Sequence, residues 1–204
     1  MEPHHATVRI AQAVFCMIGL IALCSAPAMA ATITVCSSGC TYTSIQEAID
    51  HAADGDTIAV MNGTYNERII IDKPLILQGE SPEGTLIIGS HVGTVANITA
   101  DNIVVTGFSI SGGGMPVSEK DYPAGIGTNG TSNVMISRCR VTDCYIGIYA
   151  NATTGVTAAE NDLFSNNLTG IELLNSDLAW ITSNSVHDNF QGVLLASTNG
   201  IECS

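Results

Sequence analysis

Short apolar runs recur along the second half of the chain at nearly constant spacing. Four segments share the pattern: DNIVVTGFSISG, SNVMISRCRVTDCYIGIYA, GVTAAENDLFSNNLTGIELL and DLAWITSNSVHDNFQGVLLA. The first apolar column advances in steps of 31, 22, 23 and 22 residues, through Ile103, Val134, Val156, Ala179 and Ile201. A fixed period of this size predicts a solenoid, in which each repeat buries its apolar side by stacking on its neighbours.

Apolar residues alternate with polar ones over three to five positions within each repeat, which is the periodicity of strands. Asn, Ser, Gly and Asp separate these runs and tolerate the left-handed backbone of tight turns. We therefore predict an all-β fold, a right-handed parallel β-helix with three short strands in each coil of about 22 residues. A leucine-rich repeat is excluded because the coils lack its leucine framework and helical return segment.

An amphipathic helix is predicted ahead of the coils, in residues 43–53 (TSIQEAIDHAA). Ser44 and Glu47 have the spacing of a capping box, and Gly55 is a natural stop. One helical face carries the apolar positions Ile45, Ala48, Ile49 and Ala52. Such a helix would cover the first coil, whose strand edges are otherwise open to pairing.

The apolar pattern divides the chain into three parts. Residues 1–30 are predicted to be a secretory signal peptide, 31–56 an N-terminal cap that contains the helix, and 57–204 the β-helix. The first strands of the β-helix are expected at 57–60, 69–71 and 75–77. The chain ends as another coil begins, so we expect a C-terminal truncation, which leaves Cys203 without an identified partner.

The signal peptide is predicted from an apolar run at residues 10–23 followed by Ala28-Met29-Ala30, a small-x-small cleavage pattern. Cleavage is expected near the Ala30–Ala31 bond, which makes the mature protein secreted or attached to the cell surface. The apolar run is short for a membrane span, and we predict no span in the mature chain.

One insertion interrupts the repeat. About nine extra residues, within SGGGMPVSEKDYPA, separate Ile110 from Gly125. A tolerated surface loop is the simpler interpretation because long loops cost little. The alternative is a binding loop, since insertions in solenoids often lie on the binding face.

Charge excludes one class of partner. The 204 residues carry 19 acidic and 6 basic side chains, a net charge of −13. Six cations spread along the chain cannot neutralise a phosphate backbone, so no nucleic acid is expected as a partner. An apolar content of 46% excludes a disordered acidic chain.

Five cysteines remain after export, in a compartment where disulfides persist. Cys36 and Cys40 flank a short Ser-Ser-Gly loop, and we predict a disulfide between them. A strand through Val141 holds Cys139 and Cys144 too far apart to bridge, so both are predicted to be buried free thiols. No metal site is predicted, because the histidines do not cluster with the cysteines at zinc or copper spacing.

Asparagines recur at the turns. Asn161 and Asn184 lie one coil apart, as do Asn166 and Asn189. We predict that they hydrogen-bond along the solenoid axis and satisfy turn backbone that would otherwise be unpaired. Five Asn-x-Ser/Thr sequons are glycosylation candidates in an exported chain: Asn62, Asn97, Asn129, Asn151 and Asn167.

The repeat register brings several side chains to one outward face. Aromatic rings there could stack on sugars, and carboxylates could accept hydroxyl hydrogen bonds or act as an acid–base pair. The candidate sugar-binding patch is Asp143, Tyr145, Asp162, Phe164, His187, Asp188 and Phe190. A solvated turn face with scattered aromatics is the plainer interpretation of the same residues.

The N-terminal segment CSSGCTYTSIQEAIDHAADGDTIAVMNGTYNERIIIDKPLILQGE resembles the opening of pectin-lyase-like proteins, and the later repeats resemble NosD-type carbohydrate-binding and sugar-hydrolysis repeats. The resemblance covers residues 36–203 and implies the right-handed parallel β-helix. It implies little about activity, because these motifs belong to a scaffold that many functions share.

The catalytic strings of the family's enzymes are missing. The chain has no methylesterase Gln-Asp-Thr, no polygalacturonase Asn-Thr-Asp or Arg-Ile-Lys, and no epimerase Asp-Pro-His-Glu. We therefore predict no catalytic residues and no cofactor, and a role in carbohydrate recognition or cell-surface structure. The alternative is a polysaccharide-active lyase, hydrolase, esterase or epimerase. An acidic polysaccharide would need calcium to bridge it to this surface, and no calcium motif supports that ion.

Overall fold

The computed structural model describes residues 30–117 and 122–204. In chain order its elements are β1 (Thr32–Val35), α1 (Ile45–His51), β2 (Thr57–Val60), β3 (Gly63–Tyr65), β4 (Ile69–Ile71), β5 (Ile76–Gly79), β6 (Thr85–Ile88), β7 (Ala96–Ile98), β8 (Ile103–Thr106), β9 (Ser109–Ser111), β10 (Ala124–Asn129), β11 (Ser132–Ser137), β12 (Arg140–Val141), β13 (Ile146–Asn151), β14 (Thr154–Ala159), β15 (Asp162–Phe164), β16 (Thr169–Leu174), β17 (Trp180–Thr182), β18 (Ser185–His187), β19 (Gln191–Ala196) and β20 (Glu202–Cys203).

These strands form three parallel sheets that run along the solenoid. Sheet 1 has the order β1-β2-β5-β8-β11-β14-β17-β20, sheet 2 the order β4-β7-β10-β13-β16-β19, and sheet 3 the order β3-β6-β9-β12-β15-β18. The chain makes about seven turns of about 23 residues. The predicted parallel β-helix with three strands per coil is confirmed.

Strand register reproduces the apolar columns of the sequence. Val134 pairs with Ile103 on one side and Val156 on the other. Leu163 in turn lies between Val141 and Val186 in sheet 3. These inward side chains fill the space between the three sheets, where nearly all are fully buried. Burial of alternate residues in every strand is what stacks one coil on the next.

Single residues in the left-handed conformation turn the chain at the corners. Asp143, Ser165 and Asp188 occupy one such corner in successive coils, with φ of 53°, 54° and 54°. This backbone region favours short polar residues and glycine. It explains why Asn, Ser, Asp and Gly separate the strands.

Helix α1 differs from the expectation at both ends. Ser44 caps it and accepts a hydrogen bond from the Glu47 N–H at 3.3 Å. Glu67, rather than Glu47, completes the cap, because its carboxylate accepts from Ser44 Oγ and from the Ile45 N–H, both at 2.8 Å. The helix ends at His51, short of Gly55, since Ala52 is extended.

Strand β1 lies inside the segment predicted as a cap. It pairs in parallel with β2, with Thr32 beside Thr57 and Val35 beside Val60. Sheet 1 therefore begins before the helix, and the stacked coils extend further toward the N-terminus than the apolar pattern indicates.

The asparagine ladder is confirmed. The Cys139 N–H donates to Asn161 Oδ1 at 3.0 Å, and Asn161 Nδ2 donates to Asn184 Oδ1 at 3.0 Å. Asn166 and Asn189 repeat the arrangement at the next corner, with a contact of 3.1 Å. Buried turn backbone is thereby paired from coil to coil.

The cysteines lie as predicted. Cys36 and Cys40 form a disulfide with their Cα atoms 5.6 Å apart. Cys139 and Cys144 are buried free thiols, and Cys203 is free and exposed. Burial raises the pKa of Cys139 to about 11 and that of Cys144 to about 12. Both thiols are therefore protonated and inert at neutral pH.

The difference between the two buried thiols and the exposed one predicts how many thiols react in the folded and unfolded chain. A disulfide-exchange reagent at pH 8 should modify one thiol, Cys203, in native residues 31–204, and three after unfolding without reduction. Absorbance of the released thiolate measures both numbers, and a Cys203→Ser chain is the control. Rapid modification of two or more thiols in the native chain would contradict the burial of Cys139 and Cys144.

Candidate functional site

Sheet 3 brings part of the predicted patch together. Asp162 and Phe164 lie on β15, and His187 lies beside them on β18. His187 Nε2 is 3.2 Å from Asp162 Oδ1, and its Nδ1 is 2.9 Å from Asp188 Oδ2. We call this group, with Arg140 on β12, the His187 patch.

Ring stacking along the axis occupies Phe164. The His187 ring, one coil later, is stacked on Phe164 with centroids 5.4 Å apart and planes 5° from parallel. Arg140, one coil earlier, places its guanidinium carbon 5.4 Å from the Phe164 centroid, a cation–π contact. The ring is thus covered by neighbours from both adjacent coils, which leaves no free face for a sugar.

His187 is held between two carboxylates. Its hydrogen bond to Asp188 is the main cause that raises the pKa of His187, and the bond to Asp162 acts in the same direction. Arg140 also forms an ion pair with Asp162, with its Nε 3.6 Å from Asp162 Oδ2. The patch therefore pairs its own charges on a solvated face, where such ion pairs contribute little stability.

The other members of the predicted patch stand apart. Asp143 is an exposed corner residue, Tyr145 is half-buried and Phe190 is 78% exposed. Among the described residues, no side-chain hydrogen bond or ring contact joins these three to the His187 patch. They are near it by register but do not share a site with it.

Sheet 2 carries a cleft that the sequence pattern did not indicate. Tyr122, near the end of the segment that carries the insertion, stacks on Tyr149 of β13 with ring centroids 5.2 Å apart and planes 8° from parallel. The cleft beside this pair has a volume of about 260 Å³. Its lining, which we call the tyrosine cleft, is Thr94, Asn97, Tyr122, Gly127, Thr128, Asn129, Tyr149 and Asn151.

Gly127 forms the floor of the tyrosine cleft. In the register of sheet 2 it lies between Asn97 of β7 and Tyr149 of β13. Because glycine has no side chain, the row of outward side chains is interrupted there, and a depression remains between the asparagine and the tyrosine. A Cβ added at Gly127 would meet Thr94 Cγ2 at 3.1 Å.

A row of side-chain amides edges the cleft. Asn151 Nδ2 donates to Asn129 Oδ1 at 3.0 Å, and Asn175 Nδ2 donates to Asn151 Oδ1 at 3.0 Å. These hydrogen bonds fix the orientation of each amide. Because Asn129 Oδ1 accepts from Asn151, the Asn129 Nδ2 is directed away from this row. Amides with fixed orientation are suitable partners for sugar hydroxyls, which both donate and accept hydrogen bonds.

Glu172 lies beside Tyr149 in the next coil. The side chain is 3% exposed, and its Oε2 has no hydrogen-bond partner. Burial raises the pKa of Glu172, and a hydrogen bond with Thr169 opposes that shift. The pKa of Tyr149 is raised to about 12, chiefly by burial and then by Tyr122 and Glu172, so its phenol stays neutral.

Two features of the sequence could have indicated the tyrosine cleft. The insertion was expected to form a surface loop, with a binding loop as the alternative interpretation, and Tyr122 lies near the end of the segment that carries it. Gly127 and Tyr149 are outward residues in equivalent strands. What the sequence did not show is that the chain after the insertion folds back onto β13.

The glycosylation candidates lie in different environments. Asn62, Asn129 and Asn167 are exposed, whereas Asn97 and Asn151 are half-buried beside the tyrosine cleft. Asn62 Oδ1 accepts from Ser81 and Thr85, and Asn151 Nδ2 is bound in the amide row. Glycosylation at any of these sequons stays a prediction.

The described ranges contain neither a metal-binding cluster nor a membrane-spanning helix. Residues 30–117 and 122–204 contain no group of three or more His, Cys, Asp or Glu side chains arranged to hold a metal ion. The same residues include no helix with the length and apolar character needed to cross a membrane.

Three parallel sheets around one apolar core define the chain as a right-handed parallel β-helix protein. It belongs to the family described as "Right handed beta helix region", whose model matches residues 32–204. Solved structures similar to it share this fold, which is the one that the sequence resemblance implied.

Three solved structures show the same fold. The catalytic domain of a GH87 α-1,3-glucanase, solved with tetrasaccharides, aligns with a TM-score of 0.65 and 17% identity over 84% of this chain and 32% of its own. Pectin methylesterase from Erwinia chrysanthemi aligns with a TM-score of 0.60 and 16% identity, over 74% of this chain and 55% of its own. The A-module of a mannuronan C-5 epimerase from Azotobacter vinelandii aligns with a TM-score of 0.58 and 17% identity, over 78% of this chain and 52% of its own.

A curated relative is closer in sequence. A cell surface glycoprotein from Methanothermus fervidus is 39% identical over 75 residues. That stretch covers 36% of this chain and 12% of the glycoprotein. The chain thus spans a small part of this relative and about a third to a half of the three solved structures, which share its fold.

Proposed function

We propose that this chain recognises neutral carbohydrate at the cell surface, with the tyrosine cleft as its binding site and without turnover. The observation that carries the proposal is the pairing of a tyrosine stack with fixed amides around a cleft of about 260 Å³. Small-molecule sites typically combine aromatic walls with a few placed polar groups.

The size and polarity of the cleft suit a sugar unit. Its volume is just below the roughly 300 Å³ at which drug-sized sites begin. Tyr122 is 38% exposed and offers the ring face that Tyr149 does not cover. The apolar face of a sugar ring can pack there while its hydroxyls reach the Asn97 and Asn129 side chains.

Recognition without turnover is supported by the lining. Among the residues that the structure describes, those that line the cleft include no Asp, Glu, His, Lys or Arg. Hydrolysis of a glycosidic bond ordinarily requires two carboxyl groups on either side of it. The closest acid in the sheet register, Glu172, is buried beside the cleft and outside its lining.

A neutral ligand is favoured by charge. The chain has a net charge of −13, and its field repels anionic polymers such as uronic-acid chains. The similarity to a cell surface glycoprotein supports an extracellular location, as does the Cys36–Cys40 disulfide.

The second candidate function is polysaccharide turnover at the His187 patch. His187 lies within 3.2 Å of carboxylates on two sides and has a raised pKa, which is an arrangement that can move a proton. The solved structures with the same fold include a glucanase, a methylesterase and an epimerase. Product formation that is lost in His187→Ala and kept in Gly127→Leu would support this function over recognition.

A binding experiment tests the main proposal. We expect a glycan array to identify a neutral oligosaccharide, and Tyr122→Ala to weaken its binding about 10-fold, or ~1.4 kcal/mol. Gly127→Leu should abolish binding by filling the floor of the tyrosine cleft. Titration calorimetry measures both effects.

Phe190→Ala is the matched control, because Phe190 is an exposed aromatic outside the cleft and should bind like wild type. Circular dichroism confirms that each variant is folded. Binding of anionic glycans alone, or equal affinity for wild type and Gly127→Leu, would contradict the tyrosine cleft as the site.

A further inference from the structure

The start of the first strand is fastened by a buried carboxylate. Asp56 is 6% exposed, and it precedes β2 directly. Its Oδ1 accepts from the Ala31 nitrogen at 2.7 Å, and its Oδ2 accepts from the Ala53 N–H at 2.8 Å. One side chain therefore joins the beginning of β1 to the turn that follows α1.

The position of Ala31 is also fixed by the sheet. The Thr57 N–H donates to the Ala31 carbonyl at 2.8 Å, and the next residue, Thr32, pairs with Thr57. The Ala31 nitrogen is thus held at the Asp56 carboxylate by the same register that aligns β1 with β2.

Ala31 is also the residue that follows the predicted cleavage pattern Ala28-Met29-Ala30. An export endopeptidase would hydrolyse the bond between the Ala30 carbonyl carbon and the Ala31 nitrogen. Water supplies the hydroxyl that makes Ala30 a carboxylate, and the released nitrogen takes up protons to become an α-ammonium at neutral pH.

We infer that the Ala30–Ala31 bond is the processing site of this chain, and that cleavage places the new Ala31 α-ammonium on the Asp56 carboxylate as a partly buried ion pair. Cleavage then replaces a hydrogen bond in which only the acceptor is charged with an ion pair in which donor and acceptor are both charged, which is stronger. The mature chain therefore holds β1, an edge strand of sheet 1, more strongly than the precursor does.

The pH dependence of this fastening follows from its two groups. The two backbone hydrogen bonds, that of Ala31 first, lower the pKa of Asp56, so its contribution is present above the usual aspartate range and is lost as pH falls through the lowered value. Asp56 raises the pKa of the α-ammonium, whose contribution is present below about pH 8 and is lost as pH rises through the raised value. The gain is therefore largest between about pH 5 and 7.5.

Other titratable groups lie on the segments around Asp56. They belong to the end of α1, to the same turn and to the loop before β5, and they are Asp50, His51, Asp54, Asp72 and Lys73. A comparison of two chains that differ only at the N-terminus cancels their effects.

The test uses two secreted precursors, the natural one and one with Gly-Ser inserted between Ala30 and Ala31. N-terminal sequencing should find Ala31 first in the former and Gly-Ser-Ala31 in the latter. The inserted residues keep the Ala31 N–H but move the charge away. At pH 6.5 the natural chain should melt about 2 to 4 °C higher, and the gap should close above about pH 10.

Asp56→Asn in both precursors should remove the gap, because no carboxylate remains to pair with the ammonium. If those variants do not fold, the pH dependence of the gap between the two unsubstituted chains decides the question. A mature N-terminus at another residue would overturn the processing site. Equal melting temperatures at pH 6.5, or a gap that persists unchanged above pH 10, would overturn the ion pair.

Discussion

Replacement of Asn161 by leucine is expected to lower the free energy of unfolding by about 3 to 5 kcal/mol. Asn161 is 2% exposed, and its side chain makes three hydrogen bonds inside the solenoid. Its Oδ1 accepts from the Cys139 N–H at 3.0 Å, and its Nδ2 donates to the Ile136 carbonyl at 2.9 Å and to Asn184 Oδ1 at 3.0 Å. Leucine has similar volume but leaves these groups unpaired, at a cost of about 1 to 3 kcal/mol each.

Asn184→Leu is the matched control. Asn184 occupies the equivalent position one coil later but is half-buried. Water can therefore replace some of the hydrogen bonds that are lost when leucine replaces it. We expect a loss of about 1 to 2 kcal/mol there. Urea unfolding followed by circular dichroism measures both variants. Losses of equal size would show that the burial of the Asn161 bonds does not set their contribution.

The ladder illustrates how far the sequence determines this fold. Asn161 and Asn184 were placed in one column because the repeat spacing aligned the apolar residues on either side of them. Strand register then followed, since a one-residue slip would move every apolar side chain to the solvent face. Any fold built on this repeat must stack those amides.

The parts outside the repeat were less predictable. Strand β1 has the sequence TITV, which alternates but belongs to no repeated column. Its strand conformation depends on pairing with β2, and that pairing depends on how the chain passes around α1. Likewise, the cap on the helix comes from Glu67, 23 residues after Ser44. Local sequence offers Glu47 at the expected spacing and gives no sign of the distant partner.

The candidate site shows the same limit. Register placed Asp162, Phe164 and His187 on one outward face, and in the structure His187 contacts both of the other side chains. Register could not show that Arg140 and His187 cover the Phe164 ring, because ring contacts depend on rotamers as well as on register. The tyrosine cleft needs a contact between Tyr122 and Tyr149 that no periodicity contains.

The His187 patch and the tyrosine cleft differ in how many charges and ring faces remain free to contact a ligand. In the His187 patch the charges and ring faces are satisfied by one another along the axis. In the tyrosine cleft Gly127 leaves a space, and Tyr122 keeps an exposed face. A ligand adds most where existing contacts are incomplete, which is why we propose sheet 2, rather than sheet 3, as the recognition surface.

The second large effect is expected at Phe108. Its replacement by alanine should lower the free energy of unfolding by about 3 to 5 kcal/mol. Phe108 is fully buried and stands among the largest of the fully buried side chains. It opens the corner column that continues through Cys139, Asn161 and Asn184, so its ring fills space that smaller side chains occupy in later coils. Removing the ring leaves a cavity between rigid strands of adjacent coils.

Phe190→Ala supplies the control for Phe108→Ala, because it deletes the same atoms from a side chain that is 78% exposed. We expect it to change the free energy of unfolding by less than about 0.5 kcal/mol. Urea unfolding at matched protein concentration separates the two variants by midpoint. A small loss at Phe108 would mean that the neighbouring coils close around the cavity, and the solenoid would then be a softer scaffold for the tyrosine cleft than its packing indicates.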